Sequence, residues 1–257
     1  MKRLFGLASL VLVAYIFFLF QPSEMLSERQ PGEQVPVTSQ QQNLMQDLTQ
    51  NQTLVSKLLL ASVVVEGELS RERQGNYIYY RTSDGTGFNI SPSGIIVTAY
   101  HVVKDVRPGT ITIQFRGRPK QSARLIKAIP EHDIAILELS RPRSGLPYLK
   151  LADRSVAPMD IVCLAGYPEK KGILVESGIV SYVNLTIPVK MQGQNQLEVG
   201  TFAIGAQAYP GMSGGPVVNS KGEAVGVLVA AGTDPRRIEC YAVPLEAVGT
   251  IVKRLAA

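Results

Sequence analysis

The chain has 257 residues, with 26 lysines and arginines, 21 aspartates and glutamates, 2 histidines, 2 cysteines and no tryptophan. The net charge of +5 comes with no basic run interleaved with aromatics, which argues against nucleic-acid binding. Two cysteines without a Cys/His cluster exclude a disulfide-rich scaffold and offer no metal-ligand spacing, so no metal or other cofactor is expected.

Lys2 and Arg3 precede Leu4 to Phe20, an uncharged and mostly apolar run. It is longer than the usual core of a secretory signal, about 7–15 residues, and sits at the lower edge of a membrane span. No small-x-small cleavage pattern follows in Gln21-Pro22-Ser23-Glu24. Residues 1–21 therefore read as an uncleaved signal anchor, a transmembrane helix that keeps Lys2 and Arg3 in the cytoplasm and the rest outside. Secretion after signal cleavage is the alternative. Residues 22–52 read as a flexible linker with many glutamines, scattered prolines and no sustained period. Leu44, Leu48, Val55, Leu58 and Leu59 outline an amphipathic helix ahead of the folded domain.

Residues 53–257 form the folded domain. From Ser62 onward, short β-branched strands alternate with turn sequences such as Pro92-Ser93-Gly94, Arg118-Pro119 and Ser220-Lys221-Gly222. That pattern predicts an all-β sandwich or barrel, in a stretch long enough for one large core or two fused ones. A short helix over Leu245 to Leu255 closes the chain.

Three segments carry chemistry. In Ile95-Ile96-Val97-Thr98-Ala99-Tyr100-His101-Val102-Val103, a β-branched strand delivers His101 where it gives way to a turn or short helix. In Glu131-His132-Asp133-Ile134-Ala135-Ile136-Leu137, Asp133 enters a second alternating strand. Alternation points His132 the other way, toward the surface. In Gly211-Met212-Ser213-Gly214-Gly215-Pro216, one hydroxyl stands among three glycines at the mouth of a strand. Glycines keep bulk away from a nucleophile and let backbone N–H groups turn toward a developing oxyanion. Each segment alone has an ordinary reading as a turn or a strand end. Together, the order His101, Asp133, Ser213 is that of chymotrypsin-type enzymes and not of subtilisins or α/β-hydrolases.

On these segments, with Gly85-Thr86-Gly87-Phe88, Ala165-Gly166-Tyr167-Pro168, Glu176-Ser177-Gly178-Ile179-Val180-Ser181 and Gly222-Glu223-Ala224-Val225-Gly226-Val227, the chain resembles trypsin-like serine proteases. It is most similar to the bacterial Deg/HtrA branch, over roughly Ser62 to Ala257. The resemblance implies two six-stranded β-barrels, about 62–145 and 146–257, with the active site in the cleft between them. It implies Ser213 as nucleophile, His101 as general base and acid, Asp133 as the group orienting the imidazole, and the N–H groups of Gly211 and Ser213 as the oxyanion hole. A polypeptide is the implied substrate. Leu228, Val229, Ala230 and Ala231 would lie on the strand that pairs with its backbone. Gln207, Ala208, Ala230, Ala231, Glu239 and Tyr241 would line the first specificity pocket. An inward Glu239 would favour a basic side chain; an outward one would be a solvated charge beside Arg236 and Arg237, the reading its neighbours favour.

The sequence departs from the family at Met212, where trypsin-type enzymes carry an aspartate that pairs with a new N-terminus and Deg/HtrA enzymes an asparagine. Activation by such an ion pair is not expected. Deg/HtrA proteins typically continue into a peptide-binding PDZ module, for which this chain has no room, and trimerisation, common there, has no signature in the sequence. Cys163 and Cys240 match no usual bridge of the fold and read as unpaired. Two other classes remain at this point: a protease fold that binds extended peptides without cutting them, and an esterase-like acyl hydrolase.

Overall fold

A computed structural model describes residues 52–74, 77–141, 144–189, 197–232 and 237–256. The expected signal anchor, and the linker up to residue 51, lie outside the described residues. Among the described residues no helix is long and apolar enough to cross a membrane.

Among the described residues, twelve strands close into two antiparallel barrels of six. The first comprises β1 (Ser62–Gln74), β2 (Tyr77–Asn89), β3 (Ile95–Ala99), β4 (Thr112–Phe115), β5 (Gln121–Ile129) and β6 (Ile134–Leu139), in the order β1-β2-β3-β6-β5-β4. The second comprises β7 (Ile161–Gly166), β8 (Leu174–Val189), β9 (Leu197–Ile204), β10 (Pro216–Asn219), β11 (Ala224–Ala231) and β12 (Cys240–Pro244), in the order β10-β11-β12-β9-β8-β7. Closure leaves neither sheet with a continuous exposed edge, which removes the pairing hazard of an open antiparallel sheet.

Every residue of β3 is buried, because one of its faces fills the barrel and the other is covered from outside. This explains its unbroken β-branched composition, where a half-exposed strand would alternate with polar residues. Phe88, Ile96, Ile113, Phe115 and Ile136 fill the first barrel, and Phe202, Leu164, Val217 and Leu228 the second. Val218, Val227, Val229 and Val243 of the second barrel join the same apolar cluster as Phe88 and Ile136, so the seam between the barrels is itself core. Gly226 is required on β11, since a Cβ there would stand 2.7 Å from the Phe202 ring.

A helix over residues 52–61 precedes β1. Its Leu58 is fully buried and Leu54 packs beside it, so this helix belongs to the folded domain. Leu44 and Leu48 of the expected amphipathic helix lie outside the described residues. The chain closes with a 3-10 turn, Leu245–Val248, and the helix Gly249–Ala256.

Candidate active site

His101 and Asp133 come from neighbouring strands. In the β3–β6 ladder Ala99 pairs with Ile134, so the residues just after β3 and just before β6 meet at one end of the first barrel. There a one-turn helix, Tyr100–Val103, is held by three hydrogen bonds to a single residue. Tyr100 N–H donates to the Asp133 carbonyl at 2.8 Å, and His101 N–H donates to Asp133 Oδ1 at 2.8 Å. His101 Nδ1 lies 2.6 Å from Asp133 Oδ2. Asp133 has left-handed backbone, φ 49°, which turns its side chain and carbonyl toward the same helix. Its carboxylate is fully buried and the imidazole is 21% exposed. An ionised carboxylate only accepts, so Nδ1 carries the proton and the Nε2 lone pair faces the opposite side. His132 is half-buried in the preceding 3-10 turn, and both Asp133 oxygens are taken by His101.

Ser213 reaches this turn through its backbone. A Cβ at Gly214, φ +86°, would lie 2.1 Å from the Thr86 carbonyl oxygen and 2.8 Å from Ala99 N. A Cβ at Gly85 would meet the Val102 side chain at 2.7 Å and the Ser213 carbonyl at 3.0 Å. The Ser213 loop is thus pressed against residues flanking His101, and only glycines allow the approach. The Ser213 hydroxyl and the imidazole share no hydrogen bond. Contacts of this kind are often long before substrate arrives and tighten in the complex.

The loop is stitched to the first barrel by Thr86, a fully buried residue whose role the sequence signalled only through its two flanking glycines. Thr86 N–H donates to the Ser213 carbonyl at 2.8 Å, and its hydroxyl donates to the Gly211 carbonyl at 2.7 Å. The same hydroxyl accepts from Tyr167 N–H at 2.9 Å, while the Thr86 carbonyl accepts from the Thr98 hydroxyl at 2.7 Å. Gly211 itself has φ +93°, and a Cβ on it would stand 2.6 Å from the Tyr167 carbonyl. Among the described residues neither Gly211 N–H nor Ser213 N–H has an acceptor. The Pro210 carbonyl accepts from Glu169 N–H at 3.3 Å, and because a trans peptide sets C=O and N–H on opposite sides, Gly211 N–H points away from that turn.

The backing turn, Pro168–Lys170, is unexpected. Glu169 and Lys170 both have left-handed backbone, φ 48° and 59°. For a non-glycine residue this costs roughly 1–2 kcal/mol, so the turn persists only if its surroundings enforce it. Met212 needs no partner ion: it is fully buried in the core of the second barrel, with Gly166 making the room.

The expected substrate strand starts beside the Ser213 loop. Leu228 N–H donates to the Gly215 carbonyl at 2.9 Å and its carbonyl accepts from Gly214 N–H at 2.7 Å. β10 pairs with β11 only as far as Val227. Beyond Leu228, Val229, Ala230 and Ala231 have β12 on one side and, among the described residues, no strand on the other. Gln207 is exposed and Ala208 buried. The solvent-facing expectation for Glu239 is corrected: its side chain is only 12% exposed. It accepts from the Tyr241 hydroxyl and pairs with Arg237 at 3.1 Å, and its aliphatic stem lies over Gly232, whose lack of a side chain admits it. The hydrogen bond to Glu239, then burial, pushes the Tyr241 phenol up to about 12.

Cys163 and Cys240 are free thiols. Burial raises both thiols above their ordinary value, Cys240 to about 12, which disfavours the thiolate form.

A family match decides the relationship. The trypsin-like peptidase domain family matches residues 85–227, a stretch that contains His101, Asp133 and Ser213. The chain belongs to the trypsin-like peptidase family. Within it the relatives are of the Deg/HtrA kind. A probable periplasmic serine endoprotease DegP-like of Chlamydia pneumoniae is 32% identical over 151 residues, covering 57% of this chain and 28% of the relative. An HtrA-like serine protease of Staphylococcus aureus is 27% identical over 202 residues, covering 76% of this chain and 25% of the relative. The chain therefore spans less than a third of the length of these relatives. Among solved trypsin-like folds, the MamO protease domain of Magnetospirillum magneticum superposes with a TM-score of 0.62 at 23% identity, covering 77% of this chain and 98% of that one. The HtrA-type protease AlgW, solved with a decapeptide, gives 0.63 at 22% identity, covering 79% and 66%.

Proposed function

We propose that this chain is a serine endopeptidase that cuts exposed or unfolded polypeptides outside the cytoplasm. The observation that carries the reading is the doubly hydrogen-bonded His101–Asp133 pair, beside whose flanking residues Gly85 and Ala99 the Ser213–Gly214 backbone packs closely. Ser213 Oγ attacks the scissile carbonyl while His101 Nε2 takes its proton; His101 then returns that proton to the leaving amine. The acyl-enzyme is hydrolysed by water through the same base. Asp133 holds the imidazole in the productive tautomer and stabilises the imidazolium. The free N–H groups of Gly211 and Ser213 stabilise the oxyanion, each worth about 3–4 kcal/mol in such sites.

The unpaired edge at Val229, Ala230 and Ala231 supports extended substrate added as a strand, with recognition resting on backbone more than on side chains. Gln207, Ala208, Glu239 and Tyr241 complete the wall around the first side chain. The periplasmic naming of the relatives, with the apolar run after Lys2 and Arg3, supports a membrane-tethered protease outside the cytoplasm. The test is digestion of a permanently unfolded protein, with products read by mass spectrometry. Wild type yields new termini scattered along the chain and Ser213→Ala yields none. Intact substrate bound by folded wild-type protein would instead make the domain a peptide-binding module.

A further inference from the structure

Glu66 on β1 and Asp84 on β2 are register partners, two carboxylates facing each other across an antiparallel ladder. Like charges so placed are unfavourable unless neutralised. Neutralisation comes from both barrels: Lys170 Nζ of the second lies 2.8 Å from Glu66 Oε1 and 3.5 Å from Asp84 Oδ1, while Lys120 of the first pairs with Glu66 Oε2. Burial alone would raise the Glu66 carboxyl, yet the two ammonium groups outweigh it and hold it below its ordinary value. Lys170 is also the second residue of the left-handed turn whose Glu169 N–H holds the Pro210 carbonyl.

We propose that Lys170 is a positioning residue for catalysis, latched by Glu66 and Asp84 so that the strained turn keeps the Pro210–Gly211 peptide facing the oxyanion. The inference rests on the oxyanion role given above to Gly211. The order of dependence is explicit. The carboxylates of the first barrel hold the ammonium; the ammonium holds Glu169 and Lys170 in a conformation they would otherwise leave; Glu169 N–H holds the Pro210 carbonyl; and Gly211 N–H is thereby left pointing into the cleft. A device of this kind affects the chemical step more than substrate binding, because the oxyanion exists only after attack.

The test is steady-state kinetics on an unfolded-peptide substrate, with the melting temperature recorded for each variant. Lys170→Met and Glu66→Gln should each lower kcat about tenfold while KM stays within about twofold, as expected for a contact made only in the transition state. Lys170→Arg should restore kcat to within about threefold of wild type, since the guanidinium reaches both carboxylates. The double variant Glu169→Gly with Lys170→Gly should recover much of the kcat lost in Lys170→Met, because glycine holds left-handed backbone without a latch. Wild-type kcat in Lys170→Met overturns the proposal. So does a loss that tracks the melting temperature and is not relieved by the paired glycines. Wild-type protein that cuts no peptide overturns the reading beneath it, and this proposal with it.

Discussion

The Thr86 hydroxyl donates to the Gly211 carbonyl at 2.7 Å across 125 residues of chain and, with the Thr86 N–H to the Ser213 carbonyl, ties the Ser213 loop of one barrel to the other. Because the hydroxyl oxygen also accepts from Tyr167 N–H, removing it strands two backbone groups in a buried place. Thr86→Val keeps shape and loses both bonds, at about 1–3 kcal/mol for each group left unsatisfied. We expect the melting temperature to fall by roughly 5–15 °C and Thr86→Ser to remain close to wild type. Thermal unfolding of the two variants checks this.

Asp133→Asn keeps the volume of the buried side chain but replaces an acceptor-only group with an amide. His101 Nδ1 would then face a donor or lose its proton, leaving Nε2 in the wrong tautomer. The expected loss in kcat is about ten-thousand-fold, as in other sites of this design, with near-normal folding by circular dichroism.

Arg237 already neutralises Glu239, so the acid is not free to select a basic substrate. Paired lysine and valine peptides should be cut with no advantage for lysine. Removing the guanidinium in Arg237→Ala should raise the lysine-to-valine ratio of kcat/KM by about tenfold, a difference of about 1.4 kcal/mol.

Tyr241 supplies a pH-dependent signature. Its folded phenol titrates near 12, above the ordinary 10, so its contribution is complete below pH 10 and is lost as pH rises through 12. Absorbance titration should show the Tyr241 phenol ionising late, along with the Tyr167 phenol that burial also raises, and Glu239→Gln should bring the Tyr241 phenol down toward 10. An unchanged Tyr241 phenol in that variant would put its cause elsewhere.

The pairing of His101 with Asp133 is foreshadowed in the sequence. His101 is announced by an unbroken β-branched strand, Asp133 by the strand that pairs with it, and Ser213 by glycines that serve no helix or strand. The two-barrel architecture came from the resemblance, since turn spacing alone does not separate a sandwich from a pair of barrels. Glu239 was misread because two nearby arginines suggest a solvated charge, whereas one of them covers it and a glycine across the ladder makes room. The Glu169–Lys170 turn was invisible: left-handed backbone normally advertises itself with glycine or asparagine, and here it is imposed on two charged residues by ion pairs from the other barrel.

We propose that Ser213 is a hydroxyl activated by His101. Reaction of the folded protein with a fluorophosphonate, followed by peptide mapping, tests it most directly. We expect one phosphonyl adduct on the peptide containing Ser213, absent in Ser213→Ala and slowed by orders of magnitude in His101→Ala. Folded protein that takes no label, or takes it equally well without His101, would contradict it.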